Sequence, residues 1–120
     1  MSGHVLVVDD DPDIRNLLTT ILQNEGWAVA TAKNGEEALA QIAADRPRLV
    51  LLDLSMPIVS GWEVLATLQE NRVAVPVIVM TAGIRARDEA EMLHAAGALP
   101  KPFELDDLLD VVARCIGASR

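Results

Sequence analysis

Apolar positions along this chain fall into two kinds of run that take turns. Short unbroken blocks of strand length, residues 5–8, 49–52 and 75–80 (with one proline inside the last), alternate with longer stretches whose apolar residues recur every three or four positions. Blocks this short and this apolar read as strands buried on both faces, as in the middle of a parallel sheet. Residues 27–31 form a weaker second strand, and residues 98–99 a short fifth apolar piece. Five helices fill the gaps. The first opens with Asp11 as N-cap and Pro12 at the first helical position, presents Ile14, Leu17, Leu18, Ile21 and Leu22 on one face, and closes at Gly26. Asn34 and Gly35 cap a second helix over 36–45, which Pro47 stops. The third covers 62–70, with Trp62, Leu65 and Leu68 on one side. The fourth covers 86–96 and ends at Gly97. The fifth covers 104–116, with Leu105, Leu108, Leu109, Val112, Cys115 and Ile116 at helical spacing. Strands alternating with helices predict a parallel sheet covered on both faces. Right-handed crossovers restrict this to a doubly wound α/β domain.

Chemistry concentrates where the strands end. The block at 49–52 runs straight into Asp53, and ligands of open α/β sheets bind at the C-terminal ends of strands. Asp9 and Asp10 follow the first strand, Thr81 the fourth, and Lys101 the fifth, so a parallel sheet brings these groups to one edge. Crowded carboxylates raise one another's pKa unless positive charge intervenes. A hard divalent cation with oxygen ligands and the Lys101 ammonium are the two natural answers, and Mg²⁺ suits a site that leaves room for phosphate. A carboxylate is also a nucleophile towards a phosphoryl group, giving an aspartyl-phosphate. Metal and lysine would then offset charge on the transferring oxygens, and the Thr81 hydroxyl could bond one of them.

Composition narrows the alternatives. The chain has 120 residues, 51% hydrophobic, which is the size of one domain with a real core. A net charge of −8 repels a phosphate backbone, and scarce aromatics offer no base-stacking platform, so nucleic acid is not an expected direct partner. The apolar runs are too short to span a bilayer. No signal peptide is visible, and a single cysteine, Cys115, fits a reducing compartment, so a cytoplasmic location is expected.

Four motifs in order, Val7-Val8-Asp9-Asp10, Leu52-Asp53-Leu54-Ser55-Met56-Pro57 with Gly61, Met80-Thr81-Ala82 and Lys101-Pro102-Phe103, resemble the receiver domain of bacterial two-component response regulators. The likeness covers essentially the whole chain. It implies a flavodoxin-like strand order 2-1-3-4-5 and one receiver domain over 1–120 with no output domain, either free-standing or cut from a longer chain. It implies that Asp53 is the phosphoacceptor, served by the phosphohistidine of a sensor histidine kinase or phosphotransfer protein. Asp10 resembles the direct Mg²⁺ ligand, Asp9 the one acting through metal-bound water, and the Ser55 carbonyl a third protein ligand. Thr81 resembles the switch hydroxyl and Lys101 the phosphate partner. The family's domains are signalling modules rather than enzymes on other substrates, though they phosphorylate themselves from small donors and dephosphorylate themselves. Output passes to a downstream protein, and a homodimer formed on phosphorylation is one option. The family also suggests a cis Lys101–Pro102 bond.

Two features depart from the family. Position 98, where receivers carry an aromatic residue, is alanine, and the segment 97–101 looks about three residues short by family spacing. A truncated or altered fifth strand is the expectation, with the usual threonine–aromatic coupling disabled. Plainer readings stand beside the functional ones. Asp11 alone suffices as a cap; Thr81 and Lys101 gain meaning from their company; Cys115 reads as an inert core residue; His4 and His94 lack metal-ligand spacing. Trp62 reads as helix packing or surface. Ser55, two residues after the acceptor, is expected to tune attack of water on the acyl-phosphate. Two other functions compete poorly. A haloacid-dehalogenase-type phosphatase needs an aspartate where Ser55 stands, and a flavodoxin-like cofactor binder needs Ser, Thr and Gly where three aspartates stand.

Overall fold

The computed structural model describes residues 3–56, 58–82, 88, 91, 92 and 94–116. Five strands, β1 (His4–Val8), β2 (Ala28–Ala32), β3 (Leu49–Asp53), β4 (Val77–Ala82) and β5 (Gly97–Lys101), form one sheet in the order β2-β1-β3-β4-β5. Every neighbouring pair is parallel. Four helices are described: α1 (Pro12–Asn24), α2 (Gly35–Ala44), α3 (Gly61–Glu70) and α4 (Leu105–Ile116). The helix expected over 86–96 falls on a span much of which lies outside the described residues, as does Pro57.

Side chains that alternate along each strand divide between two cores. Leu6, Val8, Val50, Leu52, Val77 and Val79 pack with Ala38 and Ile42 of α2 and Val64, Leu65 and Leu68 of α3. Val5, Val7, Leu49, Leu51, Ile78 and Met80 pack with Leu18 and Leu22 of α1 and Leu108, Val111 and Val112 of α4. The central strands β1 and β3 are buried on both faces, which is why their sequences show no polar alternation.

The helix starts follow their capping residues. Asp11 accepts from the Asp13 N–H at 2.9 Å, and Asn34 from the Glu37 N–H at 2.8 Å. Ser60 and Glu63 form a reciprocal capping box for α3. Two helix-face expectations need correcting: Leu17 and Leu105 are exposed, so the buried faces of α1 and α4 are narrower than spacing suggested, while Trp62 is exposed and takes the surface option.

The expected truncation of the fifth strand is also corrected. β5 has five residues, as many as β1, β2 and β3, and pairs along its whole length with residues 78–82 of β4. Spacing relative to the family pointed to a shorter strand, and Pro100 inside it donates no ladder bond. An edge strand has hydrogen-bond demand on one side only, so Pro100 is tolerated there. Gly97 opens the strand instead of merely closing a helix. A Cβ there would stand 3.0 Å from Val111 Cγ2 and 3.1 Å from Cys115 Sγ, so its lack of a side chain lets α4 lie close. What is altered in β5 is composition: Ala98 sits half-buried against the core on the α2–α3 side.

Candidate functional site

The C-terminal edge of the sheet gathers the predicted groups. Asp9 directly follows β1 and is fully buried; Asp53 ends β3 and is 4% exposed. Each closes a turn on its own chain. The Asp11 N–H donates to Asp9 Oδ1 at 3.0 Å, and the Ser55 N–H to Asp53 Oδ1 at 3.1 Å. The free oxygens face Lys101 at the end of β5: its Nζ lies 2.8 Å from Asp9 Oδ2 and 3.6 Å from Asp53 Oδ2. The ammonium is therefore hydrogen-bonded to Asp9 and only ion-paired with Asp53. The Lys101–Pro102 peptide is cis, as the family likeness suggested.

Gly61 fixes the loop between Asp53 and α3. Its N–H donates to the Leu54 carbonyl at 3.2 Å, and an added Cβ would stand 2.6 Å from Leu54 Cα and closer still to the Asp53 carbonyl oxygen. Any side chain there would push α3 off the strand end. Thr81, the penultimate residue of β4, is 7% exposed, and among the described residues its hydroxyl makes only a long 3.4 Å bond to the Ala82 carbonyl. That contact is weak enough to yield to a better acceptor. Ser55 is exposed beside Asp53.

Electrostatics follow from this packing. Burial first, and the Asp9 charge second, push the Asp53 carboxyl up from 3.8 to about 6, against the opposing pull of the Ser55 N–H and Lys101. Burial alone would lower the Lys101 pKa, but its bond to Asp9 and the charges of Asp9 and Asp53 outweigh that and raise it. Lys101 thus stays charged, and the site still carries surplus negative charge. Asp9, Asp10 and Asp53 offer carboxylate oxygens all within 4.8 Å of one another. Asp10 is exposed, and its carboxylate makes no hydrogen bond or ion pair to a described residue. Hard oxygen donors, surplus charge and one unengaged carboxylate fit a divalent cation such as Mg²⁺. Of the three consecutive acids, one caps α1 and two remain for the site.

Comparison with known proteins settles the family. The model of the response regulator receiver domain matches residues 5–113. This chain belongs to that family. As a receiver domain it is a phosphoacceptor module of two-component signalling. It is 40% identical over 111 residues, 91% of its length, to the response regulator MprA of Mycobacterium tuberculosis, and 36% identical over 107 residues to the probable transcriptional regulatory protein TcrX of the same organism. The chain spans about half the length of these relatives, 48% and 46%. Among solved structures it resembles the response regulator TrrA of Thermotoga maritima in complex with Mg²⁺–BeF. That likeness has a TM-score of 0.84 at 37% identity, covering 94% of this chain and 98% of that one. It also resembles chemotaxis protein CheY4 of Vibrio cholerae, with a TM-score of 0.85 at 31% identity, covering 96% and 99%.

His4 is half-buried, with Nδ1 3.9 Å from Asp45, at the opposite edge of the sheet; His94 is exposed; neither joins the site. Cys115 packs against the α1–α4 core, and burial pushes its thiol pKa up, so it is a poor nucleophile. Arg15 was missed by the sequence reading. Its Nη1 donates to the Asp9 carbonyl at 2.8 Å. The available signal was a cation in the first turn of a helix, where the dipole disfavours it. No helix among the described residues is long and apolar enough to cross a membrane.

Proposed function

We propose that Asp53 is the residue that accepts the phosphoryl group. The observation that carries this reading is the convergence of Asp9, Asp10 and Asp53 within 4.8 Å, with the Lys101 ammonium 3.6 Å from Asp53. With a pKa of about 6, Asp53 is largely ionised at neutral pH and able to attack. One of its oxygens forms a bond to phosphorus, the phosphorus–nitrogen bond of a donor phosphohistidine breaks with its electron pair going to that nitrogen, and the ring leaves as neutral imidazole because its other nitrogen already carries a proton. Lys101 pairs with the arriving phosphoryl oxygens, and the Thr81 hydroxyl donates to one of them. Asp9, Asp10, Asp53 and the Ser55 carbonyl would hold Mg²⁺, whose charge offsets that of the phosphoryl oxygens.

The donor in this reading is a histidine kinase or phosphotransfer protein, and the product is a change in binding to a downstream protein, in the cytoplasm. Residues 1–120 act as one receiver unit. Small phosphodonors serve as well, because the side chains that pair with the transferring phosphoryl, and those that would hold Mg²⁺, all belong to this chain.

Intact mass after incubation with acetyl phosphate or phosphoramidate tests this. Wild type with Mg²⁺ is expected to gain one phosphoryl group, with no gain in chelator or in Asp53→Asn. A gain that persists in Asp53→Asn would move the acceptor elsewhere.

A further inference from the structure

We propose that Arg15 is a positioning residue for the acidic site, acting through the Asp9 carbonyl to aim Asp10. Arg15 is the fourth residue of α1, and its own N–H donates to the Asp11 carbonyl at 3.0 Å in the regular helical pattern. Its guanidinium folds back across the first turn to donate to the Asp9 carbonyl at 2.8 Å. Every polar group of Asp9 is then held. Its N–H donates to Ala32 of β2 at 3.2 Å, its carbonyl accepts from Arg15, and its carboxylate accepts from Asp11 and Lys101.

The consequence falls on the next residue. The Asp9 carbonyl and the Asp10 N–H belong to one planar peptide unit, so fixing where the carbonyl points fixes the plane in which the Asp10 Cα lies and narrows the positions its carboxylate can reach. Asp10 has no other restraint on its carboxylate from a described residue. On charge alone Arg15 is misplaced, since a cation opposes the helix dipole there and repels an incoming divalent ion. Its value is geometric. The planar guanidinium locks a carbonyl that a more flexible ammonium would hold less firmly.

This inference rests on the reading of the acid cluster as a Mg²⁺ site, and charge and position predict opposite outcomes for it. Removing a positive charge should tighten Mg²⁺ binding if charge alone matters, and weaken it if position matters. Mg²⁺ affinity is measured by titration calorimetry, with thermal melts confirming the fold. Arg15→Met and Arg15→Gln are expected to bind Mg²⁺ roughly five- to tenfold more weakly, with Arg15→Lys recovering only part of the loss. Arg46→Met, the same charge loss at an exposed position near the other end of the strands, is expected to stay within about twofold of wild type. Affinity in Arg15→Met and Arg15→Gln equal to or tighter than wild type would overturn the inference while leaving the metal site intact. A wild-type protein that takes up no Mg²⁺ would sink the metal reading and this inference with it.

Discussion

At the C-terminal ends of the strands Lys101 lies 2.8 Å from an Asp9 side chain with no exposed surface. At the N-terminal ends His4 lies 3.9 Å from an Asp45 side chain that is 79% exposed. On α4, Arg114 and Asp110 meet at 3.3 Å, each about two-thirds exposed. The lysine and arginine pairs use the same chemistry in different surroundings, while His4 meets Asp45 as an ion pair only when its imidazole is protonated. Exposed partners exchange one favourable environment, water, for another, and the net gain is small. Buried ones have given up water, so each depends on its partner; here Asp53 and Lys101 both have their pKa raised. A strained charge balance at one edge of the sheet, and relaxed pairs elsewhere, is what separates a reactive site from decoration.

That comparison breaks most visibly if Lys101 is removed. Lys101→Met leaves two carboxylates facing each other with little access to water, and a loss of about 3–5 kcal/mol is expected in urea unfolding at pH 7 with chelator present. A loss below about 1 kcal/mol would mean that solvent already screens the pair. Next in size is the pH dependence set by Asp53. Folding raises its pKa from 3.8 to about 6, so the native state holds more protons than the unfolded chain between those values. Stability of the metal-free protein should therefore fall as pH rises from about 4 to about 6, by up to about 3 kcal/mol from this group. Asp53→Asn should flatten that part of the profile, and an unchanged profile in the variant would assign the effect to another group. Smallest is Arg114→Ala, which should change stability by less than about 0.5 kcal/mol. A larger effect would show that surface pairs on α4 matter more than their exposure allows.

Much of this was legible in the sequence because its causes are local. Capping at Asp11 and Asn34, the apolar blocks at 5–8 and 49–52, and the strand-end positions of Asp9, Asp53, Thr81 and Lys101 follow from spacing and residue type. What failed depended on neighbours distant in the chain. β4 begins at Val77 rather than 75 because pairing with β3 starts there. β5 runs through Pro100 because it is an edge, a property of sheet order rather than of its own residues. At the site, sequence could name the lysine and the acids but not their partners. That Lys101 bonds Asp9 rather than Asp53, and that Asp53 holds its proton to about pH 6, are facts of packing. The Arg15 contact was hidden for the same reason, since an arginine in a first turn says nothing of where its guanidinium ends.

Asp9 and Asp53 each accept the amide two residues downstream, so neighbouring strands β1 and β3 end in the same small closed ring. A side chain tethered to its own main chain in this way acts as a latch as well as a reagent. The ring occupies one oxygen of each carboxylate, Oδ1 in both, so the other, Oδ2, is left turned towards Lys101. Two strand ends thus present their reactive oxygens in one orientation set by the main chain, independently of residue 98.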